Sequence, residues 1–289
     1  MARSGVADRI EAALGVRPTE LRPLSGGSPR DFGAEVYTLT FADKTQAVAK
    51  VGRAGAKLDL EAWMLRTLGA RSRVPAPGVL FTSDDLLVMD LLPSGGWIDA
   101  HVERDAAEIV AALHGVMAPK FGLERDTVIG GLHQPNPQSD KWLPFFRDQR
   151  LRFMADDAGR AGRLPAGTRT RIETLCGKLD RWIVEPAAPA LIHGDLWSGN
   201  VLAVDGRVTG LIDPAIYYAD PEIELAFTTL FGTFGEVFFR RYSELRPIRE
   251  GFFEERRDLY NLYPLLVHVR LFGGGYVGQV EATLRRYGC

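Results

Sequence analysis

An acid and an amide lie five residues apart in the stretch HGDLWSGN, which spans residues 193–200. Apolar residues flank this stretch on both sides, so the chain holds the polar groups close to its core rather than on a solvated loop. A catalytic aspartate followed five residues later by a metal-binding asparagine is the order found in phosphotransferase catalytic loops. We therefore predict that Asp195 is a general base and that Asn200 binds a metal ion.

A second acid follows a predicted hairpin. Asp205 and Gly206, between two apolar runs, are typical of a type I′ turn. Because a hairpin returns its second strand beside its first, Asp213 at the end of that strand should lie near Asn200 and Asp195. Two carboxylates and an amide oxygen suit Mg²⁺, which takes oxygen ligands and usually keeps phosphates and waters. The alternative is a loop held by Asx turns beside an unrelated acid at the strand end.

The first half of the chain contains residues that could hold phosphate groups. Gly26 and Gly27 would let the backbone approach a phosphate closely. Lys50, at the end of a predicted strand, could pair with phosphate oxygens, and Glu61 on the next predicted helix could hold Lys50 in place. Each of these residues also has an ordinary explanation, as part of a turn, as a solvated lysine or as an acid on a helix face.

The run VMDLL, residues 88–92, resembles a hinge between two lobes. In such a hinge, backbone groups rather than side chains meet the adenine of a nucleotide. Met89, Asp90 and Leu92 are therefore candidate nucleotide-binding residues.

The fold class predicted from these elements is α+β, in two lobes that meet near residues 93–97. Residues 1–93 should form a small lobe of antiparallel strands with one inserted helix, and residues 94–289 a larger, mainly helical lobe with one small hairpin. The predicted segments are an N-terminal amphipathic helix, strands within 24–41 and 74–82 and at 46–51 and 86–92, helices at 57–70, 103–116, 142–158, 168–183 and 254–272, a loop at 132–141, and a helix directly after residue 213.

The bulk composition excludes several classes of protein. The net charge of −2 gives no indication of a nucleic-acid or membrane-surface partner. Two cysteines, Cys176 and Cys289, provide neither a disulfide framework nor a metal cluster, and they suit a reducing cytosol. No apolar run approaches the length of a membrane span, and no secretory signal begins the sequence. We therefore expect a cytoplasmic protein.

In these motifs the sequence resembles the protein-kinase-like fold, and more closely the small-molecule kinases similar to aminoglycoside phosphotransferases. HGD, residues 193–195, stands where protein kinases have HRD, and IDP, residues 212–214, stands where they have DFG. The closest resemblance is to the fructosamine-3-kinase (ketosamine-3-kinase) family. It covers nearly the whole chain and is carried by HGDLWSGN (193–200), KFGLERDTVIGGLHQPN (120–136) with WLPFFRDQRL (142–151), and FEERRDLYNLYPLLVHVRLFGGGY (253–276).

The resemblance implies a bilobal kinase that uses ATP and Mg²⁺ to phosphorylate the sugar-derived 3-hydroxyl of ketosamines, whose phosphorylated form then releases the free amine. It implies these roles: Asp195 as the base, Asn200 and Asp213 as Mg²⁺ ligands, Lys50 and Glu61 at the ATP phosphates, and Trp197 facing the substrate. Some relatives carry a cysteine in the glycine-rich loop that pairs between chains. Here Ser28 takes that position, so such a redox-linked dimer is not supported. The oligomeric state stays open, with a monomer as our expectation.

Two candidate substrate residues have competing interpretations. Trp197 could form a wall of the substrate site, because it lies two residues from the predicted base, or it could be ordinary core packing. His268 has helical spacing with Leu265 and Leu271, which indicates either the core or the lining of a substrate groove.

Two other functions also stay open. One is a kinase for another small hydroxylated molecule, such as an aminoglycoside, a choline-like alcohol or a sugar. The other is a catalytically silent nucleotide-binding module, which would not need Lys50, Asp195, Asn200 and Asp213 together.

Overall fold

A five-stranded antiparallel sheet forms most of the first lobe. The structure, a computed structural model, describes residues 3–24 and 34–289. The sheet has the order β1-β2-β3-β5-β4. Its strands are β1 (Glu20–Pro23), β2 (Glu35–Thr40), β3 (Gln46–Val51), β4 (Val79–Thr82) and β5 (Leu86–Asp90). Two helices accompany the sheet, α1 (Arg3–Leu14) and α2 (Leu58–Arg71).

Strand β3 separates the two apolar clusters of the first lobe. Ala47 and Ala49 pack with Val6 and Ile10 of α1, whereas Val48 packs with a cluster that includes α2. Because successive side chains of a strand point to opposite faces, Lys50 shares the face of Val48. The alternation along β3 therefore directs Lys50 toward α2, which carries Glu61.

Helix α2 joins the two lobes. The predicted apolar face, Leu58, Ala62, Leu65 and Leu68, is buried. Leu68 and Met64 belong to the large apolar core of the second lobe, whereas the other three pack within the first lobe. The helix is thus fixed from both sides.

The second lobe is mainly helical around three small antiparallel strand pairs, β6–β7, β8–β11 and β9–β10. Two π-helical segments continue into α5 and α9, and single 3₁₀ turns cover Leu179–Arg181 and Ser198–Asn200. In chain order the elements are α3 (Ala100–Leu113), β6 (Thr127–Ile129), β7 (Leu132–Gln134), α4 (Trp142–Phe146), the π-helix Arg147–Arg152, α5 (Phe153–Arg160), α6 (Ala166–Cys176), β8 (Ala190–Ile192), β9 (Val201–Val204), β10 (Arg207–Leu211), β11 (Tyr217–Ala219), α7 (Glu222–Leu230), α8 (Glu236–Leu245), the π-helix Phe252–Arg256, α9 (Arg257–Phe272) and α10 (Gly275–Arg286).

The α+β class and the hairpin after the HGDLWSGN stretch are confirmed. Asp205 and Gly206 have φ values of 50° and 76°, and positive φ at both central residues is the mark of the predicted type I′ turn. Among the described residues, no helix is long and apolar enough to cross a membrane.

Several predicted segments are wrong in detail. The chain does not enter a helix directly after residue 213, because β11 intervenes and pairs with β8, which satisfies the backbone groups of a fully buried segment. The predicted loop at 132–141 begins with β7, joined to β6 by Gly130 and Gly131 with φ of 52° and 75°. The strand predicted at 86–92 ends at Asp90, and α3 begins at Ala100, where Asp99 caps it.

Trp142 allows a direct test of this packing. Its side chain is fully buried between Phe145, Phe146 and Tyr260, and its indole N–H donates a hydrogen bond to the Tyr260 hydroxyl at 3.0 Å. We expect Trp142→Ala to lower the free energy of unfolding by about 3–5 kcal/mol. The matched control Trp97→Ala removes an indole that is 89% exposed and should change it by less than about 0.5 kcal/mol. If urea denaturation showed the same loss in free energy of unfolding for both variants, Trp142 would not be a core residue.

Candidate active site

The stretch that follows β8 is fixed by a close backbone contact. Gly194 has a φ of 85°, and a β-carbon at this position would lie 2.2 Å from the carbonyl oxygen of Ala215. Only glycine fits, on both counts. The Ala215 N–H donates to the carbonyl of His193 at 2.8 Å, so the segments around residues 194 and 215 are tied together beyond the β8–β11 pair.

Asp195 and Asn200 are in direct contact. The 3₁₀ turn Ser198–Asn200 brings the Asn200 side-chain nitrogen 3.0 Å from the Asp195 carboxylate and 2.8 Å from the Asp195 carbonyl oxygen. Burial, reinforced by the negative charge of Asp213, raises the pKa of Asp195 to about 7, against the opposing effect of the Asn200 hydrogen bond. Such a carboxylate can accept a proton near neutral pH.

Asp213 reaches this pair through the hairpin, as predicted, and it also reaches the first lobe. The Ile212 N–H donates to the Asn200 carbonyl at 3.0 Å, and Asp213 itself has a left-handed φ of 55°. One Asp213 carboxylate oxygen lies 2.5 Å from the Lys50 ammonium, which also donates to Glu61 at 2.8 Å. Lys50 is therefore shared between two acids, one from each lobe.

The charge on Lys50 is stabilised by these partners. Burial disfavours the ammonium form, but the Asp213 and Glu61 carboxylates outweigh burial and hold the pKa of Lys50 above its usual range. The lysine thus remains a cation although it is almost inaccessible to solvent.

A buried network below the loop was not predicted from the sequence. Glu224 of α7 accepts a hydrogen bond from the Gly194 N–H at 2.7 Å, and its other oxygen lies 2.9 Å from Nε2 of His114. His114 Nδ1 in turn contacts the Tyr242 hydroxyl at 2.7 Å. Burial opposes the charge on Glu224, yet the hydrogen bond with His114 holds the pKa of Glu224 below its usual value.

His193 lies in the same buried region and is a structural residue. Its side chain is fully buried, and burial lowers its pKa. The ring is consequently neutral, and its Nδ1 accepts the Asp195 N–H at 3.4 Å.

The donor atoms at this site fit Mg²⁺. The Asn200 side-chain nitrogen donates to Asp195, so the side-chain oxygen of Asn200 could serve a metal ion, and Asp213 offers a carboxylate. Within residues 3–24 and 34–289 no group of three or more His, Cys, Asp or Glu side chains is placed to hold a metal. Mg²⁺ needs no such cluster, since one or two carboxylates plus phosphates suffice.

These residues face one cleft of about 690 Å³ between the lobes. The part of the cleft beside the five-stranded sheet is lined by apolar side chains from both lobes that the sequence analysis did not single out: Val36, Val48, Leu202 and Ile212. Apolar walls of this kind suit a purine ring.

The predicted hinge residues Met89, Asp90 and Leu92 line the same end of the cleft. The Asp90 carboxylate accepts the Gly78 N–H at 3.0 Å, so this side chain stabilises the hinge itself. Gly26, Gly27 and Ser28 lie outside the described residues.

The other end of the cleft is aromatic. Trp197 and His268 both line it, together with Phe231, Phe272 and Tyr276, which the sequence analysis did not identify. Trp197 is half-buried and folds over Gly199, where a β-carbon would lie 2.4 Å from the indole. The indole is therefore a wall of the cleft rather than part of the core.

Comparison with known proteins gives a consistent assignment. The family model described as fructosamine kinase matches residues 38–287. A probable ketoamine kinase of Synechocystis is 41% identical over 181 residues, which are 61% of this chain and 59% of the relative. The chloroplastic protein-ribulosamine 3-kinase of Arabidopsis thaliana is 34% identical over 243 residues, 81% of this chain and 71% of the relative.

Solved structures agree with the sequence relatives. A crystal structure from Thermobifida fusca, assigned as a fructosamine-3-kinase, has a TM-score of 0.83 and 32% identity and covers 97% of this chain and 98% of its own. Antibiotic phosphotransferases, at less than 20% identity, share the fold alone with TM-scores of 0.61 to 0.68. The predicted resemblance to kinases of this fold is confirmed.

The shared lysine leads to a testable expectation. Glu61→Gln keeps the shape of the side chain but removes one of the two charges that hold Lys50, and hydrogen bonds between charged groups contribute about 1.5–3 kcal/mol. We expect the KM for ATP to rise about tenfold or more, with a smaller change in the KM for the acceptor. Asp59→Asn, an exposed acid on the same helix, should leave both values unchanged. An unchanged KM for ATP in Glu61→Gln would refute the role of this pair.

Proposed function

The chain belongs to the fructosamine kinase family, and we propose that it uses the cleft described above to transfer the γ-phosphoryl group of ATP to the 3-hydroxyl of a ketosamine. It is a phosphotransferase with an alcohol group as acceptor. The observation that carries the assignment of the active site is the meeting of Asp195, Asn200, Asp213 and Lys50 in one cleft.

Asp195 is the base in this proposal. Its carboxylate accepts the proton of the acceptor hydroxyl while the hydroxyl oxygen forms a bond to the γ-phosphorus and the bond between that phosphorus and the leaving oxygen of ADP breaks. Asn200 holds the carboxylate in position, and the pKa of about 7 makes Asp195 a suitable proton acceptor under neutral conditions.

Lys50 binds the phosphate end of ATP, and Glu61 orients Lys50. The Lys50 ammonium pairs with phosphate oxygens, and Glu61 keeps its chain directed into the cleft. Asn200 and Asp213 would hold Mg²⁺, which when bound neutralises negative charge on the phosphates. The hinge at residues 89–92 and the apolar walls would hold adenine.

The acceptor end of the cleft favours a ketosamine over an aminoglycoside. A polycationic acceptor needs several carboxylates to replace its hydration. Among the described residues that line the cleft, the carboxylates beyond Asp195 and Asp213 are Glu61, which holds Lys50, and Asp90 at the hinge. An indole face such as that of Trp197 instead suits the C–H surface of a single sugar chain and a single protonated amine.

A substrate panel tests the proposed function. ATP consumption should be measured with adducts of fructose, ribulose and erythrulose on one simple amine, beside aminoglycosides and choline. We expect phosphorylation of at least one ketosamine with a kcat/KM at least tenfold above that of any aminoglycoside. If an aminoglycoside were the only compound of the panel to be phosphorylated, the protein would be an aminoglycoside kinase and not a ketosamine kinase.

A matched pair of variants tests the base. Asp195→Asn should lower kcat by about 10²- to 10⁴-fold while ATP binding stays nearly intact, since the lost group acts on the hydroxyl proton. Asp205→Asn makes the same chemical change at an exposed turn whose left-handed conformation asparagine tolerates, and it should leave kcat unchanged. Comparable activity of the two variants would remove Asp195 from the mechanism.

A further inference from the structure

We infer that Gln134 is a positioning residue for Asp213: through the carbonyl of Ala215 it holds the backbone that places the Asp213 carboxylate for Mg²⁺. Gln134 is the last residue of β7 and is not among the residues that line the cleft. The inference rests on the proposed function, because it concerns a metal ligand of the same reaction.

The backbone of Asp213 has a conformation that its neighbours must stabilise. Its φ of 55° is left-handed, a region that residues other than glycine occupy sparsely and keep only where the surrounding structure holds them. On one side of Asp213, the Ile212 N–H donates to the Asn200 carbonyl at 3.0 Å. On the other side Pro214 has no N–H, so Ala215 is the first residue after Asp213 that can donate a backbone hydrogen bond.

Ala215 is held by both of its backbone polar groups. Its N–H donates to the carbonyl of His193 at 2.8 Å, and its carbonyl oxygen accepts a hydrogen bond from Nε2 of Gln134 at 3.0 Å. Ala215 is buried, and a buried carbonyl that loses its donor is costly. Without Gln134 the carbonyl would turn to find another donor, and this rotation would act on the peptide groups that lead back to Asp213.

The Gln134 amide is fixed in one orientation. Its Nε2 donates a second hydrogen bond to the Thr127 hydroxyl at 2.8 Å, and its Oε1 accepts one from the Tyr263 hydroxyl at 2.7 Å. The side chain is fully buried. Three hydrogen bonds therefore keep the nitrogen of this amide directed at Ala215.

Arg150 adds a second connection between the β6–β7 hairpin and the segment after Asp213. Its guanidinium is fully buried and donates to the Asn136 side-chain oxygen at 2.6 Å. The same guanidinium lies 3.9 Å from the ring centroid of Tyr217, the first residue of β11. The strand end that carries Gln134 is thus fixed relative to the chain that follows Ala215.

This arrangement predicts that two contributions to nucleotide binding can be separated. Lys50 and the hinge at residues 89–92 would contact the nucleotide independently of Gln134. The contribution of Mg²⁺ depends on the position of the Asp213 carboxylate. Gln134 should therefore influence only the part of the affinity that Mg²⁺ adds.

Calorimetric titration with the non-hydrolysable β,γ-imido analogue of ATP, once with Mg²⁺ and once with EDTA, measures this part. Gln134→Met keeps the length of the side chain and removes both N–H donors. We expect the increase in affinity due to Mg²⁺ to fall about fivefold or more, while the affinity in EDTA changes less than about twofold. A folded Gln134→Met protein with the full increase would overturn the inference. If Mg²⁺ added nothing to the affinity of the unmodified chain, the proposed metal site would fail, and the inference with it.

Two further variants separate positioning from a loss of stability. Leu175→Ala opens a cavity in the apolar core at α6, away from the cleft, and should lower the Tm while the increase due to Mg²⁺ stays that of the unmodified chain. Tyr263→Phe keeps the ring and removes the hydroxyl that orients the Gln134 amide, so it should lower the increase by a smaller factor.

The outcomes of this set are distinct. If Leu175→Ala reduced the increase as much as Gln134→Met does, or if Gln134→Met lost the same affinity with Mg²⁺ and with EDTA, Gln134 would be a structural residue only. If Gln134→Met did not fold, an unchanged increase in Tyr263→Phe would contradict the inference.

Discussion

The two ion pairs of Lys50 are the interaction on which the rest of the site depends. A buried ammonium is costly unless it is paired, and here one carboxylate comes from each lobe. Glu61 is fixed by α2, which is anchored in the cores of both lobes, and Asp213 is fixed by the hairpin that also positions Asn200. The burial of one charge thus sets the relative placement of the sheet, helix α2 and the segment 193–213 that carries Asp195, Asn200 and Asp213.

The arrangement of Asp195, Asn200 and Asp213 in the second lobe could be predicted from the sequence because its constraints are local. The five-residue interval between Asp195 and Asn200 and the Asp-Gly turn before Asp213 leave few arrangements for a chain that must pair its backbone groups. The positions of Lys50 and Glu61 also follow from the periods of one strand and one helix. Each of these residues lies at the end of a strand or turn, or on one face of a helix, and a short stretch of sequence determines that position.

At the aromatic end of the cleft, Trp197 and His268 were candidates from the sequence, but the other aromatic residues could not be predicted in the same way. Phe231 and Tyr276 are 45 residues apart in the sequence and meet through His268, and neither carries a local signal that separates it from a core aromatic residue. Glu224 and His114 likewise pair across 110 residues. The helix predicted directly after Asp213 failed for a related reason, since β11 exists only because β8 offers its edge. In all three cases the structure depends on contacts between segments that are far apart in the sequence.

The pairing of β8 with β11 has a dynamic consequence. The segment that carries Asp195 and the segment that carries Asp213 each adjoin one of these two strands, and the contact of Gly194 with Ala215 leaves no space between them. The strand pair therefore holds the two acids at a fixed spacing. Amide protons of this strand pair should exchange with solvent only through large-scale opening of the second lobe, so the spacing of the two acids is as stable as that lobe.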